Sequence, residues 1–216
     1  MTEKEQIQHR IARRVAKELH DGDNVILGIG IPTLAVQYLD TQAEILLVGD
    51  DGIFGMVPGE GTDPNVIDAG AHRVTISDHG FFTDSVNAFC LIRGGHMQVC
   101  VLGALQVDQH GNLANHIIPG KLTPGMGGAM ELAVGAQKVI VATTHTAKGS
   151  PKILDRCTLP LTAQGEVNRI ITELAVFDVT PKGLLLQEIS RETTLDEVKA
   201  LTGCTFAVSP NLGYMN

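Results

Sequence analysis

Two adjacent carboxylates stand in a short segment bounded by glycines, Gly49-Asp50-Asp51-Gly52. The segment follows residues 44–48, an apolar run typical of a β-strand, so the pattern predicts a turn at a strand end. A carboxylate in that place can act as a nucleophile or as a proton-transfer base. Because Asp and Gly are also ordinary turn formers, a purely structural turn is the competing interpretation.

Two further glycine-rich turns, Gly28-Ile29-Gly30 and Gly125-Met126-Gly127-Gly128, each precede a predicted helix. Free backbone N–H groups at a helix N-terminus suit a phosphate, a carboxylate or an oxyanion. The Gly-x-Gly pair lacks the third glycine of a dinucleotide-binding fingerprint. Each turn therefore predicts either an anion site or a simple chain reversal.

The eight histidines show no His-Glu-x-x-His or other metal-binding spacing, and the chain has neither a Gly-x-Ser-x-Gly elbow nor a P-loop. Asp108, His110 and His116 lie close together in the sequence, but a solvated loop explains them without a metal. We therefore expect no metal site. These residues alone indicate an enzyme with glycine-lined anion pockets and one candidate carboxylate.

Composition limits which classes of partner and which cellular compartment are expected. The 216 residues carry a net charge of −8 and no basic stripe, which argues against nucleic acid. No apolar run is long enough to span a membrane, and the polar N-terminus lacks a signal-peptide core. Four scattered cysteines predict buried free thiols in a reducing cytoplasm. We expect one domain over residues 1–216.

The elements that must position these turns alternate between strand and helix, which predicts an α/β fold with a mainly parallel sheet and helices on both faces. Ligands of such sheets bind beyond the carboxyl ends of the strands. Strands are expected at residues 24–29, 44–48, 74–77, 97–102 and 138–143. Helices are expected along Ile7, Ile11, Val15 and Leu19, after Pro32, at 86–92 and from Ala129. Residues 173–179 and 184–189 predict a C-terminal β-hairpin, followed by a helix capped by Thr193 or Thr194.

Several motifs together resemble the B-type chains of 3-oxoacid CoA-transferases, the class I family of succinyl-CoA:3-oxoacid and acetoacetate transferases. They are Leu27-Gly28-Ile29-Gly30-Ile31-Pro32-Thr33, Ile92-Arg93-Gly94-Gly95-His96, Asn112-Leu113-Ala114-Asn115, Ile118-Pro119-Gly120-Lys121, Gly125–Glu131, Cys157–Thr162, Asn168–Glu173 and Thr202-Gly203-Cys204. The likeness covers nearly the whole chain in order. It implies the CoA-transferase fold, which is similar to that of NagB–RpiA-type sugar-phosphate isomerases.

The resemblance implies ping-pong transfer of CoA through an enzyme carboxylate. It puts Asp50 at the position of the family's glutamate, within Ser-Glu-Asn-Gly, and Asp51 at the asparagine. Asp is one methylene shorter than Glu, and a misplacement of about a bond length can reduce the rate on the order of a hundredfold. Asp51 is the alternative nucleophile. Ile26 stands where the family usually has an asparagine.

The resemblance also implies the binding residues. It puts the oxyanion loop at Gly127 and Gly128 and the substrate pocket at Gly28 and Gly30. Ile26 and Asp51 would border the same pocket. Lys121 is a candidate for offsetting the negative charge of CoA, as are Arg93 and Lys148.

The implied partners are a companion CoA-transferase chain of the A type in a hetero-oligomer, an acyl-CoA and carboxylic acids, with CoA thioester as substrate and no resident cofactor. The family default is an acetoacetate-like 3-oxoacid with succinate, as in ketone-body or short-chain fatty acid metabolism. Three alternatives stay open. The chain is a weakened or engineered transferase, an altered or regulatory paralogue, or a protein resembling a sugar-phosphate isomerase that uses its carboxylate as a base.

Overall fold

A ten-stranded sheet forms the centre of the structure, a computed structural model that describes residues 1–59, 61–68, 70–121 and 125–215. Residues 122–124 of the predicted loop at 119–128 lie outside the described residues. The ten strands are β1 (Asn24–Leu27), β2 (Leu46–Val48), β3 (Ile53–Pro58), β4 (Val74–Phe82), β5 (Val99–Leu102), β8 (Lys138–Ala142), β12 (Arg169–Ile171), β13 (Ala175–Thr180), β14 (Gly183–Ile189) and β15 (Phe206–Tyr214).

Smaller strands and the helices complete the described chain. The short strands are β6 (Gln106–Asp108), β7 (Leu113–Ala114), β9 (Thr146–Ala147), β10 (Ser150–Pro151) and β11 (Ile153–Leu154). The helices are α1 (Glu3–Ala16), α2 (Ile31–Leu34), α3 (Ser85–Arg93), α4 (Ala129–Gly135) and α5 (Leu195–Leu201), with a 3-10 helix at Ala35–Tyr38. Strands β7, β6 and β11 form a three-stranded sheet, and β9 and β10 form a hairpin.

The five central strands of the large sheet run parallel in the order β12-β8-β5-β1-β2. On one side β13 and β14 continue the sheet as an antiparallel hairpin, and β15 then pairs parallel to β14. On the other side β3 and β4 are antiparallel. The predicted mainly parallel sheet and the predicted C-terminal hairpin are both confirmed.

Both faces of the sheet are covered, as predicted. Alternation along β1 sends Val25 to a core shared with Ile11 and Val15 of α1. It sends Ile26 to the opposite core, shared with Ile92 of α3 and Leu132 of α4. A strand buried on both faces reads as a continuous apolar run, which is why β1, β5 and β8 are recognisable in the sequence.

Polar side chains cap α1, α3 and α5, whereas α2 and α4 begin at Gly30 and Gly128 without a side-chain cap. Thr2 and Glu5 form a capping box at α1, and Thr194 and Glu197 form another at α5. The side chain of Asp84 accepts a hydrogen bond from the N–H of Asn87 at the start of α3. These caps satisfy N–H groups that a helix leaves without partners.

Three predicted elements differ most from the structure, while the strands expected at 44–48 and 97–102 each begin two residues later. The strand expected at 24–29 ends at Leu27, and the helix after Pro32 is α2 followed by a 3-10 turn. The strand expected at 74–77 extends to Phe82 and pairs with β3, which the sequence pattern missed. Gly55 causes the miss, because its φ of +81° and a register shift interrupt the alternation of β3.

The four cysteines are free, as predicted, but their burial is uneven. Cys100 is buried, Cys157 and Cys204 are half-buried, and Cys90 is exposed on α3. The prediction that all four are buried is therefore wrong for Cys90. Within the described ranges, no helix is both long and apolar enough to cross a bilayer. That residues 1–216 form one domain stays a prediction.

A buried ion cluster ties α1 to the sheet. Glu18, 4% exposed, pairs with Arg14 at 2.8 Å, with Lys138 at 2.6 Å and with Arg169. Arg14 also binds Glu188 on β14 through two bonds of 2.7 and 2.8 Å. Burial alone would raise the pKa of Glu18, but the surrounding cations outweigh it and lower that pKa to about 2.

Glu18→Gln should lower the free energy of unfolding by about 3 kcal/mol, because buried Arg14 and half-buried Lys138 and Arg169 lose the carboxylate that they share. The contribution of Glu18 is full above its ordinary pKa of 4.5 and is lost as the pH falls toward about 2. Urea unfolding of both proteins at pH 7 and at pH 3 measures the difference. The difference between the two free energies of unfolding should be smaller at pH 3 than at pH 7. Glu3→Gln on the exposed first turn of α1 is the matched control, and an equal loss there would contradict the cluster's role.

Candidate active site

The turn that carries Asp50 joins the parallel strand β2 to the antiparallel strand β3. The N–H of Gly49 donates to the carbonyl of Ile53 at 2.7 Å, and the N–H of Gly52 donates to the carbonyl of Gly49 at 3.1 Å. Gly52 has a φ of +107°, and a Cβ there would overlap the Thr83 carbonyl. Glycine is therefore required at 52 by both conformation and space.

The carboxylate of Asp50 lies directly against Gly128, the N-cap residue of α4. A Cβ at position 128 would overlap Oδ2 of Asp50 and would lie 3.2 Å from Cζ of Phe89. Two turns that are more than 70 residues apart in the sequence are thus in contact. The contact is possible because β2 ends at the edge of the sheet where α4 begins.

A cavity of about 600 Å³ opens at this contact. Its size lies in the range of small-molecule sites. Six of the eight residues predicted for the site line it: Ile26, Gly28, Asp50, Asp51, Gly127 and Gly128. The other two, Gly30 and Lys121, do not belong to its described lining.

Gly28 lies where β1 passes close to the end of β5. Its N–H donates to the carbonyl of Val101 at 2.8 Å, and an added Cβ would lie 3.3 Å from that same oxygen. Gly30 has a φ of +94° and is the N-cap of α2. The first glycine therefore belongs to the cavity wall, whereas the second serves the turn into the helix. Ile26 is 2% exposed and pairs in register with Cys100.

The three predicted cations all lie outside the cavity lining. Lys121 is exposed in a turn closed by its own N–H to the carbonyl of Ile118. Arg93 pairs with Glu131 at 2.6 Å, and Lys148 is exposed in the turn between β9 and β10. Any part they play toward CoA stays a prediction.

The electrostatics of the site destabilise the charged form of Asp50. Burial raises the pKa of Asp50, and the negative charge of Asp51 raises it further, while the Asp50 backbone N–H opposes both. Burial also raises the pKa of the neighbouring Cys100 thiol, and the charge of Asp50 adds to this. Cys100 is therefore an inert core thiol, and Asp50 is a carboxylate of raised basicity.

Asn115 and His116 line the cavity, although neither was among the predicted site residues. The buried hydroxyl of Thr162 donates to Oδ1 of Asn115 at 2.7 Å and lies 3.0 Å from Nδ1 of His116. Nδ2 of Asn115 donates to the carbonyl of Gly103 at 3.2 Å. Their positions depend on these long-range bonds. The sequence signal for Asn115 was its place in the motif Asn112-Leu113-Ala114-Asn115, which His116 follows directly.

The prediction that Asp108 lies in a solvated loop is wrong, because its side chain is buried. Asp108 is 1% exposed and accepts hydrogen bonds from the backbone N–H groups of His110, Asn112 and Cys157. It organises a tight turn, and burial, which would raise its pKa, is outweighed by these bonds, which lower it. Among the described residues, no three His, Cys, Asp or Glu side chains are grouped to hold a metal.

Comparison with known proteins gives one family. Residues 8–200 match the family described as Coenzyme A transferase. The chain is 48% identical over 206 residues to the acetate CoA-transferase subunit beta of Escherichia coli K12, covering 95% of each chain. It is 47% identical over 209 residues to the mitochondrial succinyl-CoA:3-ketoacid coenzyme A transferase 2A of Rattus norvegicus. That match covers 94% of this chain and 40% of the rat protein.

A solved structure of similar fold is the acyl-CoA transferase YdiF of Escherichia coli O157:H7, in its apoenzyme form. The TM-score is 0.79 at 24% identity, over 97% of this chain and 43% of that one. At this identity the match supports the fold alone.

Asp51→Asn should lower the pKa of Asp50, because it removes the like charge that adds to burial in raising it. Carbon-detected NMR titration of the Asp50 carboxyl group measures the change. Asp196→Asn removes an equal charge from the exposed first turn of α5 and should leave the Asp50 titration unchanged. An Asp50 pKa that is the same in Asp51→Asn and in the unaltered protein would contradict this electrostatic description.

Proposed function

The chain belongs to the Coenzyme A transferase family, and from this premise we propose that it is the B-type chain of an enzyme that moves CoA between two carboxylic acids through Asp50. The observation that carries the proposal is the contact between the Asp50 carboxylate and Gly128 at the start of α4, within the cavity. One acid is a 3-oxoacid of the acetoacetate type. Of the two named relatives, one is named for acetate and the other for succinyl-CoA and a 3-ketoacid.

In the first half-reaction the Asp50 carboxylate attacks the thioester carbonyl carbon of the acyl-CoA. The CoA thiolate leaves, and a mixed anhydride joins Asp50 to the acyl group. The thiolate then attacks the Asp50 carbonyl carbon, which releases the first acid as its carboxylate and leaves a thioester between Asp50 and CoA. A second acid reverses these steps. The path divides one difficult exchange into several easier ones.

Each attack develops negative charge on a carbonyl oxygen. Backbone N–H groups of Gly127 and Gly128 are the donors we propose for that oxygen, since they precede α4 and border the cavity beside Asp50. Asn115 is a further side-chain donor in the same lining, and its amide is held by Thr162. These groups are fixed by the fold before substrate arrives, which is the condition for effective charge stabilisation.

We further propose that the chain works with a companion chain of the A type in a hetero-oligomer in the cytoplasm. The length of the rat relative supports a companion chain, because this chain matches only 40% of that protein. The name of the bacterial relative, a beta subunit of almost the same length, supports it as well. Four free cysteines agree with a reducing compartment.

Intact-mass analysis of the complex reconstituted with its A-type companion tests the proposal directly. After addition of acetoacetyl-CoA, the B-type chain should gain the mass of CoA less one water, and peptide mapping should assign it to Asp50. Asp50→Asn should give no adduct, whereas Asp50→Glu should keep it because it preserves the carboxylate.

An adduct on Asp51, or turnover that survives in Asp50→Asn, would contradict the assignment. An isomerase that uses Asp50 as a base would form no CoA adduct and would work without the A-type companion. If the chain were only regulatory, the complex that contains Asp50→Asn would stay fully active.

Gly128→Ala should slow formation of the Asp50 adduct on the order of a hundredfold, because the added methyl group displaces the carboxylate from its position. The φ of −78° at Gly128 suits alanine, so the backbone itself is not strained. Rapid-quench mass spectrometry measures the single-turnover rate. Gly125→Ala is the matched control, because its methyl group meets nothing within 4 Å and should change the rate much less. Equal rates in the two variants would contradict the steric argument.

A further inference from the structure

Two neighbouring residues of the cavity lining, Asn115 and His116, are held by one buried hydroxyl group, that of Thr162. Oγ1 of Thr162 lies 2.7 Å from Oδ1 of Asn115 and 3.2 Å from the backbone nitrogen of the same residue. It also lies 3.0 Å from Nδ1 of His116. Three hydrogen bonds therefore meet at one oxygen, and their directions decide which atom carries the proton in each.

The carbonyl of Gly103 sets the first direction. A carbonyl oxygen only accepts, so the group of Asn115 that lies 3.2 Å from it is the amide NH2. Oδ1 of Asn115 then faces Thr162, and because Oδ1 also only accepts, the hydroxyl of Thr162 donates its single proton there. The oxygen of Thr162 is left to accept from the backbone N–H of Asn115 and from Nδ1–H of His116.

These bonds determine the tautomer of His116. A neutral imidazole carries one ring proton, and the bond to Thr162 requires that proton on Nδ1. Nε2 then has a free lone pair and is a hydrogen-bond acceptor. Within the described residues no group bonds to Nε2, although His116 borders the cavity. The nitrogen that remains for a ligand therefore takes a donor.

The substrates of the proposed reaction offer few donors. A carboxylate, a 3-oxo group and a thioester carbonyl present only oxygens that accept. The pantetheine arm of an acyl-CoA carries amide N–H groups, and the nearest of them is separated from the sulfur by two methylene groups. The hydroxyl groups of CoA lie farther along the arm. This first amide is thus the donor that comes closest to Asp50 when the thioester reacts.

We infer that Nε2 of His116 accepts a hydrogen bond from this amide N–H and so holds the sulfur end of the acyl-CoA, with Thr162 as the positioning residue. The inference rests on the proposed function and deepens it, because it assigns a residue of this chain to the thioester arm. Asn115 and His116 present a donor and an acceptor side by side. That pair complements an acyl-CoA, whose thioester carbonyl accepts and whose first amide donates.

The test compares acetoacetyl-CoA with an analogue in which this amide N–H is replaced by an ester oxygen. The replacement removes the donor and keeps the length of the arm. Rapid-quench mass spectrometry of the complex with the A-type companion measures how fast each carrier, at a concentration below saturation, loads Asp50. The unaltered complex should load from the analogue about fivefold more slowly, because one neutral hydrogen bond is lost.

His116→Phe keeps an aromatic ring and has no acceptor nitrogen, so the two carriers should load Asp50 at equal rates. Because the ratio compares two carriers on the same variant, a general loss of activity cancels. His116→Gln, whose side-chain oxygen can accept in place of Nε2, should retain part of the difference. His110→Gln alters an exposed histidine outside the described lining and should keep the fivefold ratio.

Thr162→Ser and Thr162→Val test the positioning role. Serine keeps the hydroxyl, whereas valine is similar in shape and lacks it. Long-range 1H–15N correlation of the histidine rings in the complex should place the proton of His116 on Nδ1 in the unaltered protein and in Thr162→Ser. In Thr162→Val the proton should move in part to Nε2, and the ratio between the carriers should fall toward one.

A ratio between the carriers that is the same in His116→Phe as in the unaltered complex would overturn the inference. A proton on Nε2 of His116 in the unaltered complex would also overturn it. So would a His116→Phe complex in which only the KM of the acceptor acid rises, because the ring would then bind a carboxylate. Failure of acetoacetyl-CoA to load Asp50 in the unaltered complex would instead count against the proposed function, since the tautomer is measured without turnover.

Discussion

The carboxyl ends of β2, β1, β5, β8 and β12 lie along one edge of the sheet, because parallel strands all finish on the same side. Asp50 follows β2 and Gly28 follows β1, and α4 starts beside them. With antiparallel pairing at the centre these groups would alternate between opposite edges. Parallel pairing in turn needs helices on both faces to connect and cover the strands, and the two apolar cores and the Glu18 ion cluster hold those layers together.

Much of this arrangement could be predicted, because its signals are local and repeated. Continuous apolar runs predict β5 and β8, and apolar residues at every fourth position predict α1. Thr194 together with Glu197 predicts the start of α5. The placement of the turns at Gly28 and at residues 49–52 on one edge follows from the strand-end rule, because both turns follow predicted parallel strands. The closeness of Asp50 to Gly128 does not follow from that rule, because residues 125–128 follow a loop and only the packing of α4 brings them to Asp50.

The rest could not be predicted, because it depends on contacts between distant segments. β3 and β4 join through a shifted register in which Gly55 and Gly80 pass within contact distance, and no local period records that shift. Asn115 and His116 reach the cavity because Thr162, more than 40 residues later, bonds to both. The placement of Gly30 and Lys121 outside the lining has the same cause, since sequence spacing carries no information on which side of a turn faces the cavity.

The raised pKa of Asp50 has a consequence for the proposed reaction. Burial and the charge of Asp51 both disfavour the free carboxylate. In the anhydride and in the thioester Asp50 carries no charge, so both covalent states escape the interactions that disfavour the free form. The environment that makes Asp50 harder to ionise therefore also favours its acylation, provided that the pH lies above its pKa.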